Sequence, residues 1–149
     1  MLNSLKYVCL VSLKIFISSC NKSKIVRLQN YQTKRCILLA DISDENSIYK
    51  DNCDQDESNI KAIISNKALL VRKTSAKEYL KIGRNDSAYL STKYQTTFKI
   101  QEVEVGVYKA IVKKWEGKGK CLATDRLNDV FVKKCKKSKR QQWRILEPF

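Results

Sequence analysis

The sequence predicts an all-β fold of three lobes related by pseudo-threefold symmetry, each lobe holding about forty residues and four short strands. Three observations carry this prediction. One ordered pattern of segments recurs three times along the chain. β-branched and aromatic residues alternate with Lys, Arg and Thr, while no stretch sustains an apolar period of about 3.6 residues long enough for a major helix. Turn signals separate the apolar segments, at Asn85-Asp86, Gly117-Lys118-Gly119 and Asn128-Asp129. An ordinary antiparallel sandwich also spaces its strands evenly, but here several distinct positions repeat together.

Each lobe opens on an apolar and basic strand: Ile25-Val26-Arg27, Leu70-Val71-Arg72-Lys73 and Ile111-Val112-Lys113-Lys114. A polar turn leads to a second strand, at Arg35-Cys36-Ile37-Leu38, Tyr79-Leu80-Lys81-Ile82 and Lys120-Cys121-Leu122-Ala123. The third segment carries an aromatic, Tyr49, Tyr89 or Phe131, and a fourth closes the lobe around Ile60-Lys61-Ala62-Ile63, Thr96-Thr97-Phe98-Lys99-Ile100 or Gln141-Gln142-Trp143-Arg144-Ile145. Alternation within these segments gives each strand one apolar face, which one shared core can cover.

Residues 1–20 have a signal-peptide layout: Lys6 in a short basic front, a mostly apolar run Tyr7–Ile17 interrupted by Lys14, then the small residues Ser18 and Ser19. The run is too short to span a bilayer. Ile17-Ser18-Ser19-Cys20 also resembles a bacterial lipobox, which would leave a lipid on Cys20. A buried amino-terminal strand or helix would instead keep Cys9 in a core. Removal of the leader leaves Cys36, Cys53, Cys121 and Cys135 in a single domain over 21–149, with Cys20 retained or lost. Four cysteines allow three connectivities. The short separations and comparable surroundings favour Cys36 with Cys53 and Cys121 with Cys135, while the spacing fits no zinc-ribbon pattern. Disulfides and a signal both point to an oxidising compartment, so the protein is expected to be secreted or held at the cell surface.

Cys121-Leu122-Ala123, then Cys135, then Gln141-Gln142-Trp143 resembles the ricin B-type lectin lobe, with its Cys-Leu strand, second Cys and Gln-x-Trp closing strand. The resemblance covers about residues 24–149 and implies a β-trefoil, a six-stranded barrel capped by three hairpins. The third lobe matches best, the first keeps both cysteines without Gln-x-Trp, and the middle lobe has Thr96-Thr97-Phe98 at that place. Trp143 is expected in the core. In this family an Asp two residues after the first Cys, an aromatic two before the second, and an Asn or Gln near Gln-x-Trp hold galactose-like sugars. The third lobe has Ala123, Lys133 and Arg140 there, and the first has Leu38 and Asp51, so the galactose set is absent. Asp41 and Asp125 are expected as turn carboxylates, and Tyr49, Tyr89 and Phe131 as core aromatics, although each could reach a sugar.

Charge supplies the remaining signal. The 149 residues carry 30 Lys plus Arg against 15 Asp plus Glu, a formal charge of +15, and no His. Without imidazole, histidine bases, histidine nucleophile systems and histidine metal ligands are excluded, and no metal, cofactor or catalytic site is expected. Asp125 with Asp129 reads as a polar turn rather than a catalytic carboxylate pair. Seven acids fall in residues 41–57. The segment 133–144 holds seven basic residues and no acid.

A polybasic surface of this kind attracts polyanions with strong salt dependence. The candidate binding residues are Lys133, Lys134, Lys136, Lys137, Lys139 and Arg140, with Asp125, Asn128 and Gln141 beside them. The expected function is a carbohydrate-binding, ricin B-like lectin or adhesion protein that engages acidic or sulfated glycans, or a cell-surface glycoprotein. Nucleic acid is not expected as a partner, and membrane contact is expected only through surface glycans or a lipid at Cys20. The alternative is a protein-binding trefoil: a growth-factor-like ligand, a toxin accessory subunit or a protease inhibitor. A plain solvated lysine-rich face is the simplest reading of the charge.

Overall fold

A computed structural model of the chain describes residues 22–39, 48–51, 53–54, 59–65, 67–125 and 129–149, with the side chains of Lys22 and residues 48–51 outside that description. The leader expected over 1–20 and the candidate residues Asp41 and Asn128 lie outside the described residues.

Six strands pair antiparallel in a closed ring: β1 (Lys22–Asn30), β4 (Ile60–Ser65), β5 (Ala68–Lys73), β8 (Phe98–Glu104), β9 (Val107–Val112) and β12 (Trp143–Leu146). β1 pairs with β4, β4 with β5, β5 with β8, β8 with β9, β9 with β12, and β12 returns to β1. Closure leaves the barrel without an open edge.

Three hairpins sit on this ring: β2 (Cys36–Leu39) with β3 (Ile48–Asp51), β6 (Tyr79–Ile82) with β7 (Ala88–Ser91), and β10 (Cys121–Thr124) with β11 (Val130–Lys133). Each joins its barrel strand at one equivalent register pair: Gln29 with Cys36, Arg72 with Tyr79, and Ile111 with Cys121. The second strands of the three hairpins, β3, β7 and β11, meet one another, and Ser87 bridges to Phe131. Barrel strand, cap hairpin and closing barrel strand thus repeat three times, as the recurrence of segments predicts.

Burial follows the strand period. Ile60, Ala62 and Ile64 of β4 point inward, as do Leu69 and Val71 of β5. The closing strands begin with Ile60, Phe98 and Trp143, three equivalent positions and all buried. Each supplies a large apolar side chain worth about 2 kcal/mol or more of transfer free energy. Trp143 is therefore a core residue, as expected.

The outer lobes are fastened by the favoured disulfides, Cys36–Cys53 and Cys121–Cys135, each with Cα atoms 5.0 Å apart. The middle lobe solves the same problem without cysteine. The register that pairs Cys121 with Lys133 pairs Tyr79 with Ser91, so Lys93 occupies the place of the second cysteine. The Ser91 hydroxyl accepts from the backbone N–H groups of Lys93 (3.3 Å) and Tyr94 (3.1 Å), closing that turn with hydrogen bonds. Among the described residues no helix is long and apolar enough to cross a membrane.

Candidate functional site

The third lobe carries a cleft of about 310 Å³ between β10, β11 and the segment leading to β12. Phe131 and Lys133 enter it from β11, Asp125 from the end of β10, and Lys136, Ser138 and Arg140 from the basic segment. Cys135 fastens that segment to Cys121 at the start of β10, so the lysines are displayed from a tethered loop.

The loop is held internally by Gln141, which is buried. Its side-chain N–H donates to the Lys134 carbonyl at 2.9 Å, and its side-chain oxygen accepts from the Lys136 N–H at 2.7 Å. The Ser138 hydroxyl accepts from the Arg140 N–H at 3.3 Å and caps a single 3-10 turn, Lys139–Gln141. Asp125 accepts from the Asp129 N–H at 3.0 Å, the turn role expected of it. Asn30, fully buried on β1, donates to the Arg140 carbonyl at 2.9 Å and accepts from the N–H groups of Gln32 and Thr33. Polar groups are thus satisfied by protein beneath the cleft, and charged heads are left above it.

The candidate residues divide into two groups. Asp125, Lys133, Lys136, Arg140 and Gln141 line the cleft together, three cations against one carboxylate. Lys134, Lys137 and Lys139 do not line it. Lys139 turns to Tyr31, with its ammonium 5.6 Å from the ring centroid, and Lys34 (4.3 Å) and Arg144 (4.8 Å) join it there. This cation–π cluster forms a second basic surface around the start of the turn after β1. Among the described residues no group of three or more His, Cys, Asp or Glu side chains is placed to hold a metal ion.

Two expectations about aromatics need correction. Tyr89 is not a core residue: it is exposed and lines a groove between the middle and third lobes. Phe131 is half-buried and forms part of the third-lobe cleft. Side chains alternate along β7, so Leu90 is buried and its neighbour Tyr89 is on the opposite face, which meets solvent. The sequence reading also missed Tyr94 and Trp115, which are exposed in the same groove. The available signal was a Trp beside a Gly-Lys-Gly turn, past the last buried position of its strand.

No protein-family model matches the chain, and no curated protein matches it at the level of sequence. Solved structures do. A designed threefold symmetric protein, ThreeFoil, matches with a TM-score of 0.67 at 14% identity, over 83% of this chain and 98% of that one. SeviL, bound in its structure to the asialo-GM1 saccharide, matches with a TM-score of 0.67 at 13% identity, over 86% and 100%. The Rhizoctonia solani agglutinin matches with a TM-score of 0.67 at 12% identity, over 86% and 97%. At these identities the likeness is one of fold, and with the closed six-stranded ring and its three hairpins it establishes the architecture that the ricin B-type resemblance implies: the chain is a β-trefoil.

Proposed function

We propose that this protein is a secreted or cell-surface carbohydrate-binding protein that engages acidic or sulfated glycans through its third lobe and so acts in adhesion. The observation that carries the reading is the tethered cleft in which Lys133, Lys136 and Arg140 surround Phe131. A ring offers a sugar an apolar face, and cations take a carboxylate or sulfate in charge-assisted hydrogen bonds. The absence of the galactose-type set argues against neutral-sugar specificity, because Ala123 and Lys133 stand where the family places a carboxylate and an aromatic. Support for carbohydrate as the ligand class comes from two structural neighbours, one captured with a saccharide and one an agglutinin. Two lobe-internal disulfides support an oxidising compartment.

The test is a glycan array of neutral, sialylated and sulfated sugars probed with oxidised protein at two salt concentrations. Binding confined to acidic sugars and weakened by salt is the expected result. Joint replacement of Lys136, Lys137, Lys139 and Arg140 by Ala is expected to leave folding intact and reduce that binding. Normal binding by the quadruple variant would remove the third lobe as the site, and binding only to a protein with its glycans stripped would move the function to protein recognition.

A further inference from the structure

We infer that the protein holds a second saccharide site, an aromatic groove between the middle and third lobes in which an anionic sugar chain stacks on Trp115 and Tyr94. This shares the acidic-glycan reading of the third-lobe cleft but stands on different residues. Two adjoining concavities of about 450 and 550 Å³ share Tyr94 and Trp115 as a common wall. Trp115 is 68% exposed and Tyr94 60%. Covering rings of that size removes apolar area from water, so two bare aromatics lining one concavity form a surface suited to a ligand.

Trp115 is held in place before any ligand arrives, and the backbone that carries Tyr94 is fixed. Trp115 adopts φ 64°, a left-handed conformation uncommon for a bulky residue, and the turn around it enforces that conformation. The Trp115 carbonyl accepts from the Lys118 N–H at 3.0 Å, and the Gly119 N–H donates to the Val112 carbonyl at 2.8 Å. Gly117 packs under the turn, where an added Cβ would lie 2.8 Å from Val132 and 3.1 Å from Ile82. Below the ring, Lys81 is only 7% exposed; its ammonium lies 3.2 Å from the Glu116 carboxylate and 5.7 Å from the Trp115 centroid. Tyr94 follows the Ser91-capped turn. The Lys120–Asp86 ion pair and the Val132 N–H to Asp86 carbonyl bond (2.9 Å) lock the two lobes together beside the groove. Such preorganisation reduces the ordering cost of binding.

The walls fix the ligand class. Arg84, Lys93, Lys113 and Lys114 line the groove, and its one acid, Glu116, is engaged by Lys81. Gln95 and Thr97 add an amide and a hydroxyl, groups that read sugar hydroxyls. A flat indole takes the C–H face of a pyranose, and the flanking cations take its carboxylate or sulfate. The aromatics line two adjoining concavities flanked by Arg84, Lys93, Lys113 and Lys114, a shape that suits a charged chain lying in it better than a lipid surface lying over it.

The two tryptophans report on the groove directly, since Trp115 is open to solvent and Trp143 is 3% exposed. The experiment measures acrylamide quenching of tryptophan fluorescence in the intact protein with a sulfated hexasaccharide, a neutral hexasaccharide, a single-stranded oligonucleotide or phosphatidylserine vesicles. The sulfated hexasaccharide is expected to shield Trp115 in the wild type and in the quadruple third-lobe variant. Trp115→Ala is expected to weaken its binding about tenfold, the scale of one lost aromatic partner, and Trp115→Phe to restore most of it. If the sulfated sugar binds without shielding Trp115 and Trp115→Ala binds as wild type, the groove is overturned while the third-lobe cleft stands. If neither sugar binds and the oligonucleotide or the vesicles shield Trp115, both readings fall.

Discussion

The indole N–H of Trp143 donates to the Leu122 carbonyl at 2.9 Å, so the first residue of the closing strand is hydrogen-bonded to the cap strand of its own lobe. The bond is buried and ties barrel to cap in the third lobe. The equivalent residues Ile60 and Phe98 fill the same space with no polar atom to offer.

Trp143→Phe keeps a ring in the core but leaves the Leu122 carbonyl unpaired, and is expected to cost about 1–3 kcal/mol. Trp143→Ala adds a cavity and is expected to cost about 3–5 kcal/mol. Urea denaturation of the two variants checks the order; equal losses would mean that the hydrogen bond contributes nothing.

Gln141→Ala is expected to destabilise by about 1–3 kcal/mol, because the Lys134 carbonyl and Lys136 N–H both lose their partner. It is also expected to weaken acidic-glycan binding, since the loop that displays Lys136 and Arg140 loses its internal brace. A variant with wild-type stability would show that water replaces the amide without cost.

The fold was readable in the sequence because its signals are local and repeated. Cys36, Tyr79 and Cys121 mark equivalent strand starts, and Ile60, Phe98 and Trp143 mark equivalent closing positions. Half of the third-lobe cleft was readable for a related reason: Lys133, Lys136 and Arg140 lie in one short segment. The groove was not, because Tyr94 and Trp115 come from different lobes and only the packing of the caps makes them neighbours. The direction of a lysine is likewise invisible in a basic run; Lys139 faces Tyr31 and Lys136 the cleft, three positions apart.

Gly117→Ala is expected to destabilise more than Gly119→Ala. Both positions have φ +80°, but a Cβ at 117 would meet Val132 at 2.8 Å, whereas nothing lies within 4 Å at 119. Strained backbone alone costs about 1–2 kcal/mol, and the clash adds to it. Matched thermal melts decide the point, and a larger loss at 119 would contradict the packing described.

Replacing Cys121 and Cys135 together by Ala is expected to cost about 2–4 kcal/mol through loop closure. Ser91→Ala, which removes the middle lobe's substitute, is expected to cost about 1 kcal/mol. Hydrogen exchange should show the first loss centred on the segment 133–141 and the second on 91–95.

Glu116 is held below the ordinary glutamate range, chiefly by a hydrogen bond from its own backbone and then by the Lys81 ammonium. A lowered carboxyl value means that the contact with Lys81 is present at neutral pH and is lost only as pH falls through that lowered value. The midpoint of any step in Trp115 emission should therefore lie on the acid side of an ordinary glutamate's. In Glu116→Gln the step should vanish; a step at the ordinary glutamate position in the wild type would count against the contact.

The pairing of β1 with β12 also bears on how the chain matures. As the polypeptide leaves the ribosome, β1, with Val26 and Leu28 on its inward face, waits for a barrel partner that follows all the other barrel strands in the chain. Long-range closure of this kind is slow. The cysteine bridges do not wait, because Cys36 and Cys53 are 17 positions apart and Cys121 and Cys135 are 14. Each can be oxidised within its own lobe, so neither linkage has to await closure of the barrel.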